Sequence, residues 1–180
     1  MQQFWIFGYG SLMWKPGFEF AEREPALLKG MHRKLCVYSH VHRGSPECPG
    51  LVMGLDLGGS CHGMAYRVDE AQREWTLEYL RAREQATSVY LEQSRRITLL
   101  DTGRQVEAVT YVADRNHKQY AGRLSHDTLL KYVRQGRGVS GHCIDYVLNT
   151  AAHLREMSMS DSVLERLVHE LAAQANSRET

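Results

Sequence analysis

An apolar run, Phe4-Trp5-Ile6-Phe7, gives way to Gly8-Tyr9-Gly10-Ser11-Leu12. Two glycines and a hydroxyl in five residues let backbone N–H groups approach a small anion without side chains in the way. A Gly-x-Gly after a strand also opens dinucleotide-binding loops. There, however, a third glycine would occupy the place of Met13, and the expected helix would run into Pro16-Gly17. Two readings remain: a tight turn between strands, or an anion nest spanning Ile6, Phe7, Gly8, Tyr9, Gly10, Ser11 and Leu12 that would suit a carboxylate.

Other residues admit several chemistries. Glu84, one of 21 acidic residues, reads by itself as an ion-pair partner of Arg81 or Arg83 at a helix end. Arg43 stands in a predicted loop, as a surface cation or as a bidentate clamp for a carboxylate. Tyr120 is either a packing residue or a hydrogen-bond donor in a pocket wall. His40 and His42 share a face if that segment is a strand, yet with Cys48, Cys61 and His62 they match no zinc spacing, and no metal is expected. Cys36 or Cys143 with one of nine histidines would be a cysteine peptidase, which nothing in the flanking residues favours.

These residues need elements to hold them. A first strand is predicted over Gln3 to Phe7, with three more over His32–Ser39, Leu51–Asp56 and His62–Val68. Asp69, with Gln72 three positions on, reads as the N-cap of a helix running toward Arg83, with Glu84 at or just past its end. Leu77, Leu80 and Glu84 fall on one stripe of that helix, and Ala71, Trp75 and Tyr79 make a second apolar face. Arg95–Leu100 and Gln105–Ala113 flank Asp101-Thr102-Gly103-Arg104 as a hairpin. Ser125 caps a helix that stops near Gly136. Two further helices carry Ile144, Val147, Leu148, Ala151 and Leu154, then Leu164, Leu167, Val168 and Leu171. A β-rich half, a helix, a hairpin and then helices make an α+β fold. One domain over residues 1–180 is expected, with a frayed tail from about Gln174.

Lys plus Arg number 22 against 21 Asp plus Glu, so no long-range field calls for nucleic acid or an anionic membrane. No stretch approaches the ~20 apolar residues that span a bilayer. The four cysteines form no C-x-x-C pair and read as reduced thiols. A cytoplasmic, soluble monomer is the expectation.

The segment from Gly8 to Leu12, continued as Met13-Trp14-Lys15-Pro16, resembles the opening signature of the ChaC family of γ-glutamylcyclotransferases. His40 to Glu47, Pro49-Gly50-Leu51-Val52 and Gly63 to Val68 are similar to that family's second block, and Leu80-Arg81-Ala82-Arg83-Glu84 to its catalytic block. Tyr120-Ala121-Gly122, Gly138-Val139-Ser140-Gly141 and Asp145-Tyr146 resemble its later signatures. The ordered set spans nearly the whole chain and is closer to the bacterial branch. Animal members carry a short Gly-Gly-Tyr segment after the catalytic glutamate; here Gln85-Ala86-Thr87-Ser88-Val89-Tyr90 is longer and lacks glycine.

The resemblance implies a γ-glutamylcyclotransferase-like fold, a small mixed β-barrel or sheet packed with helices. It also implies an activity, release of 5-oxoproline and Cys-Gly from glutathione, with Glu84 as general base and acid and no cofactor. The substrate's own α-amine attacks, so neither a nucleophilic side chain nor a metal is required. The glycine segment, Arg43 and Tyr120 would bind substrate. Other γ-glutamyl peptides or γ-glutamylamines share the reacting end, and a non-catalytic module holding a small anion for a regulatory partner is the reading from another class.

Overall fold

In the computed structural model, residues 3–84 and 87–176 are described, with side chains up to residue 173. Strand β1 (Phe4–Gly8) is buried along its whole length, because it has a neighbour on each side. It pairs antiparallel with β3 (Gly50–Val68), from Phe4 opposite Val68 to Gly8 opposite Met64, and parallel with β5 (Gln105–Ala113) at Trp5 and Ile6. With β2 (Glu22–Ser39) and β4 (Tyr90–Leu99), these strands close a barrel in the order β1-β3-β2-β4-β5. Closure leaves no open sheet edge. Trp5, Ile6, Phe7, Tyr66 and Tyr111 are among the largest fully buried side chains. The expected α+β class and small mixed barrel are therefore observed.

The strands are longer than their apolar runs suggest. β2 starts at Glu22, not His32, since Glu24, Ala26 and Leu28 alternate inward through a segment disguised by charges and Pro25. The buried Glu24 carboxylate accepts from the Thr102 amide at 2.7 Å and its hydroxyl at 3.0 Å. The two expected strands Leu51–Asp56 and His62–Val68 are one: Gly58 and Gly59, with φ of +97° and +68°, bend β3 without ending it. The hairpin is in place, though β4 begins at Tyr90 and pairs with β5 from Tyr90 opposite Ala113 to Thr98 opposite Gln105.

A 3-10 turn over Glu70–Gln72 leads into helix α1 (Arg73–Glu84). The expected side-chain cap is absent: the Asp69 carboxylate lies 3.3 Å from Arg67 Nη1, and the Asp69 carbonyl takes the Gln72 N–H at 2.8 Å. Only one face of α1 is covered. Thr76, Leu77 and Leu80 are buried, whereas Trp75 is exposed and stacks on Tyr79 with centroids 5.6 Å apart.

The chain divides into two compact units, residues 1–36 with 53–120 and residues 37–52 with 121–180. The first holds β1, α1, β4, β5 and most of β2 and β3. In the second lie helix α2 (His126–Gln135), a small hairpin of β6 (Arg137–Gly138) and β7 (Gly141–His142), helix α3 (Cys143–Glu156) and helix α4 (Ser162–Asn176). Ser125 Oγ caps α2 by accepting the Thr128 N–H at 3.2 Å, and the helix stops at Gly136, both as expected. The buried stripe of α3 is Cys143, Val147, Thr150, Ala151 and Leu154, turned away from Leu148, which is exposed. α4 buries Leu164 and Leu167 and stays helical through Asn176, past the expected start of fraying. Residues 177–180 of that expected tail, and Gln85-Ala86 of the segment after Glu84, lie outside the described residues. No helix among the described residues is long and apolar enough to cross a membrane.

Candidate active site

The glycine segment leaves the barrel at the end of β1 and folds at once into a 3-10 turn, Ser11–Met13. Its carbonyls are fastened by donors from two neighbouring strands, β2 and β3. Arg33 on β2 donates Nε–H to the Tyr9 carbonyl at 2.5 Å and Nη2–H to the His62 carbonyl at 2.6 Å. The Tyr66 hydroxyl on β3 lies 3.0 Å from the Leu12 carbonyl and 2.7 Å from that of Met13, which Arg23 also reaches at 3.2 Å. The turn bonds the Met13 N–H to the Gly10 carbonyl at 2.9 Å, but offers no internal acceptor to the Ser11 and Leu12 amides. A Cβ on Gly8 would come within 2.9 Å of Leu12 Cβ, so tight packing requires glycine there; a Cβ on Gly10 would meet open space. Ile6 and Phe7 are fully buried, so their side chains belong to the core, and the Phe7 carbonyl accepts the Thr110 hydroxyl at 3.0 Å.

Glu84 is the last residue of α1, with its side chain 19% exposed. Burial pushes its carboxyl above the ordinary glutamate range, and the neighbouring Arg83 guanidinium partly opposes that rise. Arg83 Nε lies 3.2 Å from Glu84 Oε1. The same guanidinium donates through Nη2 to Ser11 Oγ at 2.8 Å, and through Nη1 to the carbonyls of Lys15 at 2.8 Å and Pro16 at 3.2 Å and to the Tyr79 hydroxyl at 3.2 Å. Tyr79 also closes over Gly17 (φ +79°), where any Cβ would overlap its hydroxyl. One cation thus ties the glycine segment to the helix end that carries the carboxylate.

A second set of polar residues lies on β4 and β5. Arg81 grips Glu92 with two hydrogen bonds of 2.8 Å, and the buried Tyr111 hydroxyl donates to the same carboxylate at 3.0 Å. Burial, then the charge of Glu92 and to a lesser degree that of Glu84, keep Tyr111 protonated. Tyr120, expected in a pocket wall, donates instead to Asp56 at 2.9 Å. Asp56, on β3, is 1% exposed and also receives Lys34 at 3.0 Å, Arg115 at 2.7 Å and the Leu57 amide at 2.9 Å. Burial alone would raise its carboxyl, but these four donors hold it well below the usual range. Tyr120, partly desolvated and bonded to that anion, is pushed up to about 12.

Arg43 belongs to the second unit. Its amide donates to Ser39 Oγ at 2.9 Å, Nη1 donates to the His142 carbonyl at 3.2 Å, and the guanidinium lies 5.5 Å from the centre of the Tyr146 ring. The two cysteines weighed as nucleophiles are both buried: Cys36 is pushed up to about 12 and Cys143 is also raised, each chiefly by burial. Both rest as thiols, opposite to what an activated nucleophile needs. His42 Nδ1 lies 2.9 Å from Ser140 Oγ.

Of the residues expected to act, the segment from Ile6 to Leu12 and Glu84 are brought together, through Arg83. Tyr120 lies in the same unit, bound to Asp56, and Arg43 lies in the other unit. Sequence reasoning passed over Arg83 as more than an ion-pair partner, and missed Asp56 and the Tyr111–Glu92 pair altogether. A charged residue inside the apolar run Leu51–Leu57 was the one signal for Asp56.

Comparison with known proteins adds kinship to this geometry. Residues 4–174 match the family described as ChaC-like protein. The chain is 34% identical over 164 residues to the glutathione-specific gamma-glutamylcyclotransferase of Escherichia coli, covering 91% of this chain and 71% of that one. It is 33% identical over 153 residues to human glutathione-specific gamma-glutamylcyclotransferase 1, covering 83% and 69%. A crystal structure of a yeast gamma-glutamylcyclotransferase specific to glutathione shares the fold, with a TM-score of 0.82 over 94% of this chain and 95% of that one, at 21% identity.

Proposed function

We propose, because this chain belongs to the ChaC-like protein family, that it is a glutathione-specific γ-glutamylcyclotransferase. The observation that carries this reading beyond kinship is Glu84: a mostly buried carboxylate, its proton affinity raised, tied through a single guanidinium to an anion-suited turn.

The chemistry asks little of the protein. The γ-glutamyl α-nitrogen attacks the side-chain carbonyl carbon, the new C–N bond closes a five-membered lactam, and the amide bond to cysteine breaks. The α-ammonium gives up two protons in becoming the lactam N–H and the departing cysteine nitrogen gains two in leaving as an ammonium, so a single carboxylate can take each proton in turn and pass it on. The α-ammonium has a pKa of about 8 in solution, and a carboxylate raised by burial is a better match for it than an exposed one. The glycine segment supplies orientation. Its Ser11 and Leu12 amides suit the α-carboxylate, and the open space at Gly10 leaves room for the headgroup. Folding the γ-glutamyl chain into a near-attack shape is where binding contributes to rate.

On the same reading the chain acts as one catalytic domain, a cytoplasmic monomer that uses no metal or organic cofactor. Arg43 serves as a ligand for a substrate carboxylate, and Tyr120, whose proton goes to Asp56, meets substrate through its ring or its lone pairs. Incubation with glutathione is expected to yield 5-oxoproline and Cys-Gly in equal amounts, and Glu84→Gln to lower turnover at least ~100-fold with the fold intact. Unchanged 5-oxoproline release by that variant would remove Glu84 from the reaction; a higher rate on γ-glutamylamines than on glutathione would reassign the substrate.

A further inference from the structure

We infer that Arg83 is a positioning residue, setting the distance and orientation between the glycine segment and the Glu84 carboxylate; the inference rests on the reading of Glu84 as the proton carrier. Four of its contacts lie on the turn side or on the helix surface beneath it: Ser11 Oγ, the Lys15 and Pro16 carbonyls and Tyr79 Oη. The fifth is Glu84 itself. The acceptors at Ser11 and Lys15 are separated from Arg83 by 72 and 68 residues in sequence, so this is a tertiary clamp and not a local helix contact. A planar fork with five N–H donors can hold acceptors in several directions at once, which an ammonium on a flexible stem cannot.

The arrangement has an electrostatic consequence as well as a mechanical one. Among the described residues, Arg83 is the cation that acts on Glu84. Among the described residues, the other titratable group coupled to this carboxylate is Tyr111 of β5. Tyr111 feels its charge, and Glu92 lies behind Tyr111, already closed in a bidentate pair with Arg81 of α1. Burial favours the protonated acid at position 84, and Arg83 opposes it without overcoming it. Such a partial counterweight keeps the carboxylate basic yet available as an anion.

The test is the pH dependence of steady-state glutathione cleavage for the wild type, Arg83→Met, Arg83→Lys and Glu84→Gln, with a melting temperature for each. Arg83→Met is expected to raise KM roughly 10-fold, the worth of about one charge-assisted hydrogen bond. It should also move the acidic limb of kcat to higher pH. Arg83→Lys restores the charge but not the fork, so the limb should return while KM stays high. A limb unmoved in Arg83→Met, or parallel losses in kcat, KM and melting temperature that lysine does not split, would overturn the inference. If Arg83→Met does not fold, Arg83→Lys decides alone: a raised KM with a wild-type limb supports the clamp, and an unchanged KM refutes it. Glu84→Gln separates the two levels. If it retains the acidic limb, the proton-carrier reading itself is wrong; if it is inactive while Arg83→Met behaves as wild type, only the role of Arg83 fails.

Discussion

Asp56 and Glu84 are both shielded carboxylates of the barrel unit, and their surroundings treat charge in opposite ways. Asp56 meets Lys34, Arg115, the Tyr120 hydroxyl and the Leu57 amide, donors that outweigh burial and hold it ionised. Glu84 meets one guanidinium, shared with four other acceptors, and burial prevails. A carboxylate with every lone pair engaged fastens strands together and cannot exchange protons near neutrality. One left partly unsatisfied is less favourable for folding and suited to proton transfer. The difference lies in the number of donors, not in depth alone.

Several substitutions would break or sharpen that contrast. The largest expected loss of stability follows Asp56→Asn, which strands two cations around a neutral amide and should cost about 3 kcal/mol in urea unfolding. The acidic limb of turnover should stay where it is, because the proton carrier is elsewhere. A loss below about 1 kcal/mol would show that the four donors do not hold the barrel as described. Tyr120→Phe removes one of those donors and should cost about 1 kcal/mol. No change in stability would mean that its proton is not committed to Asp56.

The smallest effect is a pH-dependent one, and its sign follows from linkage. The folded chain raises Glu84 above its unfolded value, so the stability it contributes is complete below the ordinary glutamate pKa of about 4.3 and lost as pH rises through the raised value. Asp56 runs the other way, contributing above about 3.9 and losing that contribution only as pH falls through its depressed folded value. Glu84→Gln should therefore gain stability relative to wild type as pH rises from about 4 through the raised folded value. A relative loss over that interval would contradict the desolvation assigned to Glu84.

The parts of the molecule that were legible in the sequence are those decided by near neighbours. The Ser125 cap, the stop at Gly136, the hairpin around Asp101–Arg104 and Glu84 at its helix end all follow from residues within a few positions. Contacts across the chain were not legible. The strand from Glu22 to Met31 was hidden because Glu24 is buried against Thr102, 78 residues away. Gly58 and Gly59 read as a break because only the closed barrel shows that the strand continues through them. The bonds from Arg83 to Ser11, Lys15 and Pro16 and the side-chain donors to Asp56 depend on separations of 22 to 72 residues, for which local spacing carries no signal. Glu84 could be chosen from 21 acidic residues only by family resemblance; its burial became evident from the packing of Leu77 and Leu80 beneath the same helix.

The most direct test of the account is to follow the side-chain carboxyl carbon of Glu84 by NMR across pH, assigned by its disappearance in Glu84→Gln, and to lay that titration over the pH profile of 5-oxoproline release from glutathione. The expected result is a Glu84 midpoint above the ordinary glutamate range, coinciding with the acidic limb of turnover in the enzyme–substrate complex. A Glu84 titration in the ordinary range, or an acidic limb that does not follow it, would contradict the assignment of Glu84 as the proton carrier.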